Sequence, residues 1–301
     1  MLSQLMTAPH TVYLIDASPY IFRAHFSLPS SIRSPEGKRT GAVYGFASFL
    51  LKLLADEKPT HLAVAFDRNL NGSFRNEYFP AYKAQREEPP AEIVEQIDPC
   101  REVAAALGMA TFIDDHYEAD DLIATLWARF QPDGHRGVVV SSDKDLAQLV
   151  SDRVTLLDFA KGDRYTPAEV LDKFGVRPDQ IVDLLALAGD PVDNIPGVPG
   201  IGRKTAAELL AVFGHLEDLY ARLDEVRQSS KIRGGKSLFA KLTEHRDLAF
   251  LSKRLATVAA DAPAHASLDD LAYHGADAEA VTALFERLGF KGIRERIAVW
   301  K

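Results

Sequence analysis

Four short apolar runs with acidic residues just beyond them constrain this chain more than any other feature. Thr11–Ile15 is followed by Asp16, His61–Phe66 by Asp67, and Gly137–Ser141 by Asp143 and Asp145, while Ala110–Ile113 precedes Glu118, Asp120 and Asp121. Helical patterns lie between the runs, at Ala42–Leu54, Ile93–Leu107 and Ala119–Phe130. Strands alternating with helices need crossover connections, which build a mainly parallel sheet flanked by helices. The expected class is therefore α/β. Ligands of such a sheet bind outside the carboxyl ends of its strands, so the acidic residues are expected on one rim.

A single aspartate beyond a strand most often caps the next helix. Several strand ends doing so together crowd like charges, and cations of high charge offset that repulsion. Oxygen-only ligands select hard ions, Mg²⁺ or Mn²⁺, over zinc. The nine histidines are scattered and form no zinc pattern with the lone Cys100, and His116 reads as a loop residue. Two ions about 4 Å apart can hold a phosphodiester, activate water on one side and stabilise the leaving oxygen on the other. The residues thus point to metal-assisted phosphodiester hydrolysis.

Residues 10–165 are expected to form this α/β core, with an excursion at about 68–92 where Arg68, Arg75, Lys83 and Arg86 alternate with Phe74, Tyr78, Phe79 and Tyr82. From about Thr166 the strand signal fades, and 166–301 is read as a helical region. There an apolar helix runs into Asp190 and Asp193, then into Gly197, Gly200 and Gly202 with Arg203 and Lys204, and on to a second helical pattern ending at Phe213. This reads as a helix-hairpin-helix over about 181–213, whose glycines bring backbone N–H groups against a phosphate. Eight basic residues follow between Arg227 and Arg254, and Arg233, Gly234 and Lys236 offer a second phosphate cradle.

The chain has 301 residues with 47% hydrophobic and 26% charged side chains, which excludes wholesale disorder. Its net charge of −8 runs against phosphate binding, but setting the nine rim and hairpin carboxylates aside leaves the remainder near neutral with a basic flank. One cysteine excludes a disulfide scaffold and fits a reducing cytoplasm. No apolar stretch is long enough to span a bilayer, and the first residues lack a secretory pattern.

The sequence resembles the 5′-nuclease (flap endonuclease) family, and most closely its branch that forms the 5′→3′ exonuclease domain of bacterial DNA polymerase I. The matching stretches are LIDASPYIFRA from Leu14, VAFDRN from Val64, AYKAQR from Ala81, YEADDLIATL from Tyr117, VVVSSDKDLAQLV from Val138 and LAGDPVDNIPGVPGIGRKTA from Leu187. The resemblance implies a PIN-like nuclease core, a helical arch over the active site, and a hairpin that holds duplex DNA. It places Asp16, Asp67 and Asp120 around one ion, with Glu118 acting through water, and Asp120, Asp143, Asp145 and Asp193 around a second. Asp121 and Asp190 become outer ligands. Lys83 and Arg86 are expected to steer the scissile phosphate, Tyr20 and Tyr82 to stack unpaired bases, and Arg23 to pair with phosphate. The hairpin loop from Ile195 to Ile201 is expected to hold K⁺.

Two departures are Ala17, where many relatives have glycine, and Glu87-Glu88 before Pro89-Pro90. The chain ends at Lys301, and the expectation is a free-standing, monomeric, cytoplasmic enzyme acting on DNA with a 5′ flap or single strand and on RNA–DNA primer junctions. The competing expectations are a catalytically weak structure-specific DNA-binding protein and a toxin-like RNA nuclease; so many carboxylates disfavour the first, and the hairpin with its basic flank disfavours the second.

Overall fold

The computed structural model describes residues 9–69, 72–228, 232 and 234–301. Its first part comprises β1 (Thr11–Asp16), α1 (Ser18–Ser27), α2 (Gly41–Glu57), β2 (His61–Asp67), α3 (Arg75–Tyr78), α4 (Ala91–Ala106), β3 (Ala110–Asp114), α5 (Ala119–Phe130), β4 (Arg136–Val140), β5 (Val154–Asp158) and β6 (Asp163–Tyr165). Helices follow: α6 (Pro167–Phe174), α7 (Ile181–Ala188), α8 (Arg203–Phe213), α9 (Leu216–Ala221), α10 (Leu223–Gln228), α11 (Gly235–Glu244), α12 (Arg246–Ala256) and α13 (Ala278–Leu288). The strands form one sheet in the order β3-β2-β1-β4-β5-β6, parallel except for β6.

Both faces of the sheet are covered, as a parallel sheet requires. Along β1, Val12 and Leu14 pack into one apolar cluster with α5, α7 and α8. The alternate residues Tyr13 and Ile15 pack into another with α1, α2, α4 and α13. The first cluster runs without a break into α12, so helices α6–α12 are built onto one face of the sheet while α13 packs on the other. The sheet has two strands more than the sequence pattern predicts. Residues 154–158 form a short central strand, and β6 returns as a polar antiparallel edge, which carries little apolar signal.

The excursion at 68–92, expected to be a helical arch, holds one helical turn, α3, among its described residues. Pro80, Pro89 and Pro90 interrupt helical hydrogen bonding, and Lys83 adopts a left-handed φ of 54°. Its aromatic side chains do not project uniformly into solvent: Tyr82 is buried, and so is Arg75.

Candidate metal centre

Strand order decides which acidic residues meet. The chain direction reverses its progress across the sheet between β1 and β4, the switch point at which an open parallel sheet forms a crevice. Asp16 ends β1, Asp67 ends β2, and Asp143 follows β4. From the facing α5, Glu118 and Asp120 reach the same place. These five carboxylates line one cavity of about 510 Å³ together with Lys83 and Arg86. Beside it, Asp145, Asp190 and Asp193 each offer an oxygen, and all three oxygens lie within 4.8 Å of one another.

Local chemistry fixes several of these groups. Glu118 is the N-cap of α5, and it forms a reciprocal capping box with Asp121. Asp16 accepts from the Ser18 amide at 3.2 Å and the Ser141 hydroxyl at 2.7 Å. Asp67 accepts from the Ala119 amide at 2.8 Å and from the Ser18 hydroxyl. Asp120 has neither a hydrogen-bond donor nor a cationic partner among the described residues, although burial and then Asp143, Asp16 and Asp67 push its carboxyl well upward.

The same causes act on its neighbours. Burial and then Asp67 raise Asp16 well above the usual range, while burial and then Glu118 raise Asp67. Burial lifts Asp143, and burial with Asp143 and Asp190 nearby pushes Asp145 up to about 8. Glu118 goes the other way: burial pushes it up, but Lys83 and Arg75 outweigh that and hold it below its usual range. A buried group of acids that repel one another, with oxygen as the sole donor type, fits hard divalent cations.

Lys83 Nζ lies 2.8 Å from Glu118 and 3.8 Å from Asp193, and Arg86 pairs with Asp193. Both cations therefore sit at the carboxylates, although burial opposes their charge.

Several expectations need correction. Asp121, expected as an outer ligand, is fully buried, and its oxygens bind Arg75 at 2.8 and 2.9 Å, the Ala259 amide at 2.7 Å and the Glu118 amide at 3.1 Å. Asp190, expected at the periphery, belongs to the tight group with Asp145 and Asp193. Tyr20 and Tyr82 are not free to stack on bases. Tyr20 is buried with its ring 3.7 Å from Phe49 in a parallel stack, and its hydroxyl accepts from the Phe159 amide. The Tyr82 hydroxyl is 3.2 Å from both Glu118 and Asp193, where it orders carboxylates. Arg23 is exposed, but it lines a neighbouring groove with Lys52 and Arg296 rather than the acidic cavity.

Sequence reasoning passed over Phe22 and Phe26, which line the acidic cavity, with Phe26 71% exposed. It also passed over Ser18 and Ser141, whose one signal was their place two residues from an aspartate at a strand end. Arg75 was noticed only as one charge among several in the excursion.

Between α7 and α8 the chain makes a tight hairpin. A Cβ on Gly197, whose φ is +62°, would lie 2.2 Å from the Gly189 amide nitrogen, so only glycine fits. Gly200, Gly202, Arg203 and Lys204 are exposed at the turn. The Gly200 carbonyl accepts from Lys241 Nζ at 3.0 Å. Gly234, with φ +76°, caps α11, and Lys236 is exposed beside it; Arg233 lies outside the described residues. Gly197→Ala is expected to strain the hairpin by about 1–3 kcal/mol. It should also weaken binding to a blunt duplex at least about tenfold, as loss of about 1.4 kcal/mol implies. Thermal melting and fluorescence anisotropy measure the two effects, and wild-type affinity would show that the hairpin makes no contact.

The mostly parallel sheet thus gathers carboxylates at its carboxyl edge and is joined to a helical half that presents this hairpin. The chain belongs to the 5′-3′ exonuclease family: residues 11–175 match its N-terminal resolvase-like domain and residues 176–279 its C-terminal SAM fold. It is 46% identical over 288 residues to DNA polymerase I of Bacillus caldotenax, an alignment covering 94% of this chain and 32% of that protein. The chain thus spans about a third of the length of the curated relatives it matches. Its fold is similar to that of T5 5′-exonuclease with bound zinc ions (TM-score 0.69, 22% identity, covering 92% of this chain and 99% of that one). It is also similar to bacteriophage T5 D15 flap endonuclease in a complex with DNA and metal ions (TM-score 0.66, 23% identity, covering 93% and 100%). Among the described residues no helix is long and apolar enough to cross a membrane.

Proposed function

We propose that the chain is a divalent-metal-dependent enzyme that cuts DNA where a 5′ single strand or flap meets duplex, acting both as 5′→3′ exonuclease and as flap endonuclease. The observation that carries this reading is the single cavity shared by Asp16, Asp67, Glu118, Asp120, Asp143, Lys83 and Arg86, flanked by Asp145, Asp190 and Asp193. Mg²⁺ or Mn²⁺ held there would supply an acidified attacking water and positive charge at the leaving oxygen. The protein's own part is to bind and orient. The carboxylates hold the cations, and Ser18 and Ser141 fix the direction of Asp16. Lys83 and Arg86 transfer their charge from Glu118 and Asp193 to the non-bridging oxygens of the entering phosphodiester. Residues 166–301 grip the duplex through the hairpin and Lys236, and Arg23 meets phosphate from its neighbouring groove.

RNA–DNA primer junctions are substrates under the same reading, the enzyme acts as a monomer, and K⁺ binds the hairpin carbonyls left free by Lys241. The test is a 5′-labelled flap duplex incubated in Mg²⁺ beside an Asp143→Ala control. A product about the length of the flap, absent from the control and abolished by chelator, is the expected result. Binding of the flap with no cleavage in either Mg²⁺ or Mn²⁺ would replace this reading with that of a DNA-binding protein.

A further inference from the structure

Helix α12 touches both ends of the machinery. Near its middle, the fully buried Ser252 hydroxyl accepts from the Gly197 amide of the hairpin at 3.0 Å. At its carboxyl end, Arg75 Nε donates to the Leu255 carbonyl at 2.9 Å and Nη2 to the Thr257 carbonyl at 3.0 Å. The rest of the Arg75 fork binds both oxygens of Asp121, whose Oδ1 also accepts from the Ala259 amide and whose Oδ2 accepts from the Glu118 amide. Glu118 Oε2 is 3.6 Å from Arg75 Nη1. The hairpin is therefore bonded to one part of α12, and the end of the same helix is bonded through Arg75 and Asp121 to a carboxylate of the cavity.

Other directed bonds also cross between the two halves: Gln148 donates to the Ala256 carbonyl and accepts from the Val258 amide, and the 190–194 turn is bonded to residues 81–86. The large apolar cluster is non-directional. The cluster by itself holds α12 against the sheet without fixing its position along the surface. A planar guanidinium with four directed hydrogen bonds does fix it, because a slide of even 1 Å breaks bidentate geometry. Buried polar networks are best attested where they set register in this way. Helix ends also leave carbonyls without partners, so the end of α12 supplies acceptors that a buried arginine can use.

We infer that Arg75 and Asp121 are positioning residues that, with Ser252, hold the duplex grip at a fixed distance from the carboxylates and thereby select which phosphodiester is cut. This rests on the nuclease reading above. Neither Arg75 nor Asp121 lines the cavity, so their effect is on where the cut falls more than on how fast it occurs.

The experiment maps product lengths at single-nucleotide resolution from one 5′-labelled flap duplex in Mg²⁺, for the wild-type chain, Arg75→Lys and Ser252→Ala. Arg75→Lys keeps the charge but loses the fork, and Ser252→Ala loosens the bond between the hairpin and α12; circular dichroism confirms that each is folded. The wild-type chain is expected to give one dominant product. Each variant should spread its cuts over two or more adjacent phosphodiesters, while KM for the flap changes less than about threefold, a split that general destabilisation would not produce. Single-site cutting retained in both variants, at any rate, would overturn the inference and leave the nuclease reading intact. Absence of cleavage by the wild-type chain would overturn both.

Discussion

Asp120→Asn is expected to abolish cleavage and, in metal-free buffer, to make the protein more stable. Asp120 sits among Asp143, Asp16, Asp67 and Glu118 with no donor or cation of its own among the described residues. A divalent centre contributes several kcal/mol to the transition state, so removing a carboxylate shared between its two sides should slow cleavage by at least about 10²–10³-fold. The stability effect has the opposite sign to that of most core substitutions. In chelator the folded state has to hold mutually repelling acids in a buried place, and a neutral amide of the same shape relieves this. The melting temperature in chelator should therefore rise by a few degrees. Saturating Mn²⁺ should reverse the order, because it stabilises the wild-type chain by about 2.7 kcal/mol at a hundredfold excess over Kd and the variant less. Scanning calorimetry with and without Mn²⁺ measures both halves. A variant that melts below wild type in chelator would refute the account of Asp120 as a ligand left without partners.

Its neighbour should behave in the opposite way. Asp121→Ala strips Arg75 of its bidentate carboxylate partner at a site where both side chains are almost completely buried. Breaking a buried ion pair from one side costs about 3–5 kcal/mol, since the remaining charge stays out of water without compensation. The Ala259 and Glu118 amides lose their acceptor as well. A fall in melting temperature of roughly 10 °C is expected, in chelator and in Mn²⁺ alike. If Asp121→Ala instead melted at or above wild type in chelator, Asp121 would have to be counted with the cation ligands after all.

These two residues also show how far the sequence could be read. The Asp120–Asp121 pair carries identical chemistry at adjacent positions, and a sequence motif gives no ground to separate them. On a helix, neighbouring residues point about 100° apart, so one faces the cavity and the other cannot. Which one does so depends on how α5 lies on the sheet. Tyr20 and Tyr82 failed for a related reason. An aromatic ring beside basic residues suits base stacking, but an amphipathic ring is buried equally well when its hydroxyl finds a partner. Phe159 and the pair Glu118 and Asp193 supply those partners. Asp190 moved from the periphery into a tight group because the 190–195 turn closes on itself through paired backbone hydrogen bonds.

The sequence by itself determined the α/β class, the carboxyl-edge location of Asp16, Asp67 and Asp143, and the helix–hairpin–helix with its required glycine. Each depends on short-range physics, the period of apolar residues and the φ angle a turn demands, which a linear pattern records. Tertiary structure alone decided which carboxylates share a cavity and which one is tied to Arg75. It also decided that the hairpin is joined to Glu118 through α12. Those outcomes turn on the direction in which a side chain leaves its helix and on partners 46 to 180 positions away in the chain, and neither is encoded in any local stretch of residues.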